Sequence, residues 1–322
     1  MGVAIAVPLN KYRVVEADVC RLSDKIPQQV PREERNTKGG RRPLRDGFGL
    51  FPRIRYLYKR LTGCGDDGHG INGNDNDKDN GNGNGNGNGA MLPSKDSEEG
   101  KILQYWRKAE ARKNQMICLR LESLAAGSDN GSTNTSTSIR SNGAAHTFCV
   151  GTYHMPCAFY MPPMMMLHCA LSANHLRQFS RGDPFVYAGD FNIKPGSPMY
   201  RLFTDGAISA TESAAPAPVP GVEEEEGHDW YTAIQPPLRS AYFVQDGAEP
   251  DYTNYAQVRD DAPFIDCLDY IFLSPEWAVT DVLPLAHRDN TQGPLPSRGE
   301  PSDHVMIAST LNLRRGNNKN RT

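Results

Sequence analysis

The segment FCVGTYHMPC (148–157), followed after an apolar stretch by PFVYAGDFNIKPGSPMY (184–200), sets the frame for the whole chain. Each half holds a short apolar run that stops at polar residues. His154 closes the first; Asp190 and Asn192 close the second. Apolar runs of this length bounded by Gly and Pro read as buried strands. Polar groups at a strand end stand at the mouth of a sheet, where loops hold chemistry on a rigid scaffold. Two later pieces are of the same kind, Asp269 in CLDYIFLS (267–274) and Asp303-His304 in PSDHVMI (301–307). Together the four pieces are expected to form one site.

Outward from this frame, PMMMLHCALSANHLRQF (163–179) predicts a helix with Pro163 near its first turn. Its methionines read as core packing, and His168 and His175 as ordinary core or surface histidines. Strands are predicted at 2–8, 13–20, 115–121, 149–153, 184–189, 267–273, 279–285 and 305–313, and helices at 98–113 and 197–205. Residues 238–243 read as a short helix or strand. Three stretches cannot bury apolar surface and read as insertions, at 63–97, 124–146 and 211–228. The domain reading is therefore one domain over 1–313 and a basic tail at 314–322. Residues 50–61 read as a short amphipathic helix. Asp75, Asp77 and Asp79 mimic the start of a calcium loop, but Asn80 and Asn86 stand where that loop needs Gly and Glu.

Bulk composition restricts the function classes. The net charge is -3 over 322 residues, so overall charge gives no argument for nucleic-acid binding. Locally, residues 32–60 hold ten Lys or Arg against three acids, a solvated basic loop or a phosphate-facing surface. Seven cysteines without CxxC spacing do not suggest a disulfide framework and fit a reducing compartment. No secretory signal, myristoylation pattern or membrane-length apolar stretch is present. The expectation is an intracellular protein, cytoplasmic or nuclear, not secreted and without membrane contact.

The constellation suits phosphoryl chemistry. A carboxylate at Asp190 can take a proton from attacking water, and the Asn192 amide can donate to a phosphate oxygen. Two apart in an extended chain, they would point the same way. Asp269 can orient His304 by accepting from a ring N–H, which fixes the tautomer. Asp303 and His304 are adjacent and can share a site only where the chain turns, as Pro301 permits. Each piece alone also has an ordinary structural reading as a turn or cap; their order and spacing together say more.

That order resembles the endonuclease/exonuclease/phosphatase superfamily, and within it the deadenylase, nocturnin, angel and 2',5'-phosphodiesterase group. The resemblance rests on TYHMPC (152–157), YAGDFNIKPGSPMY (187–200), DYTNYAQ (251–257), CLDYIFLSP (267–275), VLPL (282–285), LPS (295–297) and PSDHVMIAS (301–309). GVAIAVPLNKYRVV (2–15) resembles the strand pair that follows the group's catalytic Glu. The resemblance implies a four-layer αββα sandwich of two mixed β-sheets, here lacking the first strands. It implies a Mg²⁺-dependent phosphodiesterase, with Mn²⁺ as the alternative cation, acting on RNA 3' ends or oligonucleotides. Asp190 would be the water-activating base, Asn192 the contact beside it, His304 the imidazole on the scissile phosphate and Asp269 its partner. Asp303 would be the metal-associated carboxylate, and His154, Asn254 and Phe264 the phosphate, nucleotide and base contacts. The family's first-strand Asn and metal-binding Glu have no counterpart in this chain. The rival expectation is therefore a catalytically impaired protein that binds RNA or a partner. Inositol-lipid phosphatases resemble a Trp-Cys-Asp-Arg pattern where this chain has CLDYIFLS, and YTNY points away from apurinic endonucleases.

Overall fold

The computed structural model describes residues 2–26, 94–124, 146–218 and 231–314. All of these belong to one compact unit, while a second unit at 32–92 falls outside the described residues. So do the amphipathic helix at 50–61, the basic segment, the calcium-loop mimic and the 314–322 tail beyond Arg314.

The main sheet begins with β1 (Tyr12–Arg21). A capped helix α1 (Glu98–Ala111) leads to β2 (Gln115–Ser123), then β3 (Thr147–Tyr153). The long helix α2 (Pro162–Ser180) crosses over to β4 (Phe185–Asp190), and a short helix α3 (Pro198–Thr204) follows. Then come β5 (Arg239–Ser240), helix α4 (Ala241–Asp246), β6 (Asn254–Ala256), β7 (Phe264–Asp266) and β8 (Asp269–Leu273). The described chain closes with β9 (Trp277–Val282) and β10 (Ser309–Leu313). Six strands form one mixed sheet in the order β1-β2-β3-β4-β8-β5, with β3 and β4 parallel and the other pairs antiparallel. The fold is α/β.

Helix α2 covers one face of that sheet. Prolines occupy its first positions, where no intrahelical N–H bond is lost, and Arg181 in the left-handed region ends it. The three consecutive methionines at 164–166 are buried, as expected of core filler. His168 is fully buried too, with its ring between the Tyr153 hydroxyl at 2.9 Å and the Ala109 carbonyl at 3.2 Å. Gly151 lets the helix approach, since a Cβ there would meet Leu176 Cδ2 at 2.8 Å.

On the opposite face, β9 and β10 pair with each other and pack Trp277, Val282, Val279 and Leu311 against Phe148, Val186 and Ile271 of the main sheet. Among the described residues this pair has α4 beside it, and β6 and β7 form a further two-stranded antiparallel sheet. Helix α2, the mixed sheet and the β9–β10 sheet thus lie in successive layers, but the last is an antiparallel pair, not the mixed sheet that the resemblance implies.

Several expectations need correction. Residues 2–8 alternate in exposure like a strand but make no ladder pairing among the described residues. The Pro8 carbonyl instead accepts from Lys11 and Tyr12, forming the turn into β1. The 305–313 strand starts only at Ser309, because Asp303 and Val305 pair with β6 and the residue before it. Residues 94–97 form the N-cap of α1, where the Ser97 hydroxyl accepts from Gly100 N–H. Leu124 and His146 continue the β1–β2–β3 pairing rather than looping free. In the 211–228 stretch, part of the segment up to 218 packs inward. Ala214 is buried, and the Ala217 carbonyl accepts from both the Trp106 indole and the Tyr105 hydroxyl at 2.9 Å.

β4 comes close to the end of β3 at Gly189. A Cβ there would stand 2.2 Å from the Tyr153 carbonyl oxygen, a main-chain obstacle that cannot rotate away. Gly189→Ala is expected to cost about 3 kcal/mol, the upper part of the usual overpacking range. Chemical denaturation measures it; a loss below about 1 kcal/mol would contradict the close approach.

Candidate active site

The parallel pairing of β3 and β4 puts their C-terminal ends side by side. The chain beyond β3 is tied to the end of β4 by Met155 N–H donating to the Asp190 carbonyl at 2.9 Å. This brings His154 to Asp190, with Nε2 3.3 Å from Oδ2. β8 runs antiparallel to β4 in a register that sets Asp269 opposite Asp190. His304 arrives on a loop held by two main-chain bonds, Tyr255 N–H to Asp303 and Val305 N–H to Thr253. Its Nδ1 lies 2.7 Å from Asp269 Oδ2 and its Nε2 3.8 Å from Asp190 Oδ2. Four side chains from distant parts of the sequence therefore meet at one sheet end, each partly shielded from water.

Aromatic packing fixes the Asp190 turn. Phe191 is fully buried between the two polar residues, 4.7 Å from the Tyr187 ring and 5.2 Å from Phe272 by ring centroid. Its N–H donates to the Leu268 carbonyl, so the turn is tied to the residue before Asp269. Asn192 takes φ 52°, in the left-handed region that Asn tolerates, and its N–H donates to Asp190 Oδ1 at 2.9 Å. The chain is thus turned, not extended, between the two. The Asn192 amide donates to the Met155 carbonyl at 2.9 Å and ties the His154 loop to the Asp190 turn.

Three further expected site residues lie outside this cluster. Asp303 is outside the close cluster of Asp190, Asp269 and His304. Its carboxylate lies 3.5 Å from the Asn254 amide, which is itself buried. Phe264 is exposed on β7, with Lys194 Nζ 5.0 Å from its ring centroid. Lys194 also pairs with Asp266 at 2.6 Å.

Electrostatics separate the two central groups. Burial, then the like charge of Asp269, pushes the Asp190 carboxyl above the ordinary carboxylate range. The hydrogen bond to Asp269 holds the His304 imidazole above its ordinary value, against the effect of burial. The two effects favour a charged imidazole facing a carboxylate of raised basicity. Asp190, Asp269 and His304 also offer ligand atoms within 4.8 Å of one another, an oxygen-rich set able to attract a cation.

Sequence reasoning overlooked Thr253. It is fully buried beneath Asp269. Its hydroxyl donates to Asp269 Oδ2 at 2.7 Å and accepts from the N–H groups of Leu268 and Asp269, both at 2.9 Å. Its one signal was its place in YTNY, beside Asn254. Asn114 was also overlooked; its amide donates to the His154 carbonyl at 2.8 Å. Thr253→Val would leave two buried N–H groups without an acceptor and is expected to cost about 2–4 kcal/mol, while Thr253→Ser keeps the bonds. Equal denaturation midpoints for Val and native proteins would rule out this support.

Comparison with known proteins places the geometry in context. The model of the Endonuclease/Exonuclease/phosphatase family matches residues 22–304. The chain belongs to this family. Curated family relatives include mouse 2',5'-phosphodiesterase 12, 28% identical over 179 residues, covering 51% of this chain and 26% of that protein. Carbon catabolite repressor protein 4 homolog 4 of Arabidopsis thaliana is 33% identical over 142 residues, covering 43% and 29%. Each match thus covers between a quarter and a third of the curated relative. Among solved structures, ANGEL2, a 2',3'-cyclic phosphatase, aligns with a TM-score of 0.47 at 18% identity, covering 64% of this chain and 63% of that one. Among the described residues of this family member, no helix is long and apolar enough to cross a membrane.

Proposed function

We propose that the chain is a divalent-metal-dependent phosphodiesterase that hydrolyses RNA 3' ends or oligonucleotides by attack of water on phosphorus. The observation that carries this reading is the meeting of Asp190 with the Asp269–His304 pair. Asp190, with its raised basicity, takes a proton from the attacking water. His304, kept protonated by Asp269, donates to a phosphate oxygen and stabilises the charge that develops there. His154, whose Nε2 faces the same Asp190 oxygen as His304, supplies a second N–H. Asn192 holds the His154 loop against the Asp190 turn. Phe264 offers an open ring for base stacking beside the Lys194 ammonium, and Asn254 the adjoining amide contact.

The cation in this reading is Mg²⁺, with Mn²⁺ as the alternative. The oxygen atoms of Asp190 and Asp269 are largely engaged with imidazoles, Thr253 and Asn192. The partly buried Asp303 carboxylate, whose contact with Asn254 is long, has acceptor capacity to spare. It fits a hard cation that keeps most of its shell as water and substrate oxygens. Held by Asp303, such a cation would supply positive charge to offset that of the phosphate. Buried, unpaired Cys118, Cys149, Cys169 and Cys267 favour an intracellular setting, cytoplasmic or nuclear.

The test is incubation of the purified chain with end-labelled oligoadenylates, in 3'-5' and 2'-5' linkage, with Mg²⁺ or with EDTA. Shortening that requires the cation is the expected result, and the preferred linkage identifies the substrate. The close cluster among the described residues contains no glutamate, which motivates the rival reading of a binding protein. Oligonucleotide binding that survives EDTA, with no turnover in Mg²⁺ or Mn²⁺, would replace the hydrolase reading by that one.

A further inference from the structure

Helix α2 carries an imidazole that the phosphodiester centre does not use. His175 faces β1, with its side chain 11% exposed. Asp18 and Cys20 stand two apart on that strand and so project from the same face. Asp18 Oδ2 is 2.8 Å from His175 Nε2, and Cys20 Sγ is 3.2 Å from the same nitrogen. All three ligand atoms lie within 4.8 Å of one another.

The shared nitrogen decides what the trio is suited to do. In a Cys–His–Asp relay, the thiol meets one ring nitrogen and the carboxylate the other, so the ring passes a proton between them. Here both face Nε2, and no relay is available. The proton on that nitrogen can serve the carboxylate, and the thiol, which keeps its own, can donate to the same carboxylate. A cation placed among the three serves all of them at once.

One thiolate, one imidazole and one carboxylate form a donor set that zinc accepts, at about 2.3 Å to sulfur and about 2.0–2.2 Å to nitrogen and oxygen. At tetrahedral angles those lengths put nitrogen about 3.6 Å from sulfur and about 3.3 Å from oxygen. The distances present are shorter by about half an ångström or less, within reach of side-chain rotation. The Asp18 side chain is 38% exposed, so a cation can enter and keep a water in the fourth position. The flanking charges oppose each other: Lys25 acts on Asp18 and Cys20, and Asp24 on Cys20. Burial and the Asp18 carboxylate push the Cys20 thiol up to about 11. The metal-free thiol therefore holds its proton at neutral pH, and binding displaces that proton as the sulfur–metal bond forms.

We propose that Asp18, Cys20 and His175 form a zinc site, separate from the phosphodiester centre, that ties the edge strand β1 to helix α2. The donor chemistry makes the two centres distinguishable, since only this one offers a thiolate.

The experiment uses the full chain carrying Cys64→Ser and Cys157→Ser, titrated with Co²⁺ alone. Cobalt bound by thiolate gives a near-ultraviolet sulfur-to-metal charge-transfer band. The expected result is such a band, saturating at a single equivalent and erased by added Zn²⁺. Asp269→Asn should leave it intact. Cys20→Ser should remove it, and His175→Ala should weaken cobalt binding at least about tenfold. Circular dichroism of each variant verifies folding. Should Cys20→Ser fail to fold, the His175→Ala titration and the competition by Zn²⁺ carry the test. The proposal is overturned if the folded parent shows no thiolate band in large cobalt excess. It is equally overturned if the band survives Cys20→Ser, or if His175→Ala binds cobalt as tightly as the parent.

Discussion

Asp190→Asn is expected to lower metal-dependent cleavage of an oligoadenylate by about 10²–10⁴-fold at neutral pH, with little change in oligonucleotide affinity. The substitution keeps the shape of the side chain, and an amide oxygen still accepts from the Asn192 N–H that now bonds Oδ1. What it removes is the proton acceptor. The replaced oxygen is the one facing His154 at 3.3 Å and His304 at 3.8 Å. An amide NH₂ there would also oppose any ring N–H. His304→Ala removes the donor to phosphate and should cost about 10²–10³-fold. Because both groups act on one phosphorus, the double variant should be only slightly slower than the worse single one. Single-turnover rates with Mg²⁺ measure all three. Activity unchanged in both single variants would remove the site assignment, and fully multiplicative losses would mean that the two groups act independently of each other.

The parts of this site readable in the sequence are those where local pattern and chemistry coincide. His154 and Asp190 each end an apolar run, and the parallel pairing of β3 with β4 makes those ends neighbours. The methionines at 164–166 read correctly as core because nothing polar interrupts them. What escaped depends on hydrogen bonds between distant residues. Residues 2–8 have the composition of a strand, but a strand exists only with a partner, which no local pattern specifies. The Pro- and Ala-rich stretch beginning at 211 looks solvated until the Trp106 indole is seen donating to Ala217. The spacing of Asp190 and Asn192 suggested two side chains on one side of an extended chain. Instead, the same Asp-x-Asn pattern makes a turn in which the carboxylate accepts from the asparagine's own N–H. Thr253 has no charge to draw notice, and its value comes from the carboxylate it underlies.

Asp269→Asn should move both limbs of the pH–rate profile toward lower pH while lowering the maximum by roughly 10–100-fold, the usual cost of losing a carboxylate behind a working imidazole. In the proposed mechanism the acid limb reports Asp190, which must be unprotonated, and the alkaline limb reports His304, which must hold its proton. Asp269 acts on both with the same sign. Its charge disfavours ionisation of Asp190, adding to the larger effect of burial. Its hydrogen bond at 2.7 Å favours the charged form of His304. Neutralising Asp269 therefore lets Asp190 ionise at lower pH and lets His304 lose its proton at lower pH. A merely structural loss would lower the profile without moving it, and exchange of the acid and base roles would not alter the direction of either shift. The sign thus tests the coupling, while the rates of Asp190→Asn and His304→Ala test the roles. Limbs that stay in place in a folded Asp269→Asn protein, or move apart, would mean that the groups titrating in the rate are not the two that Asp269 touches.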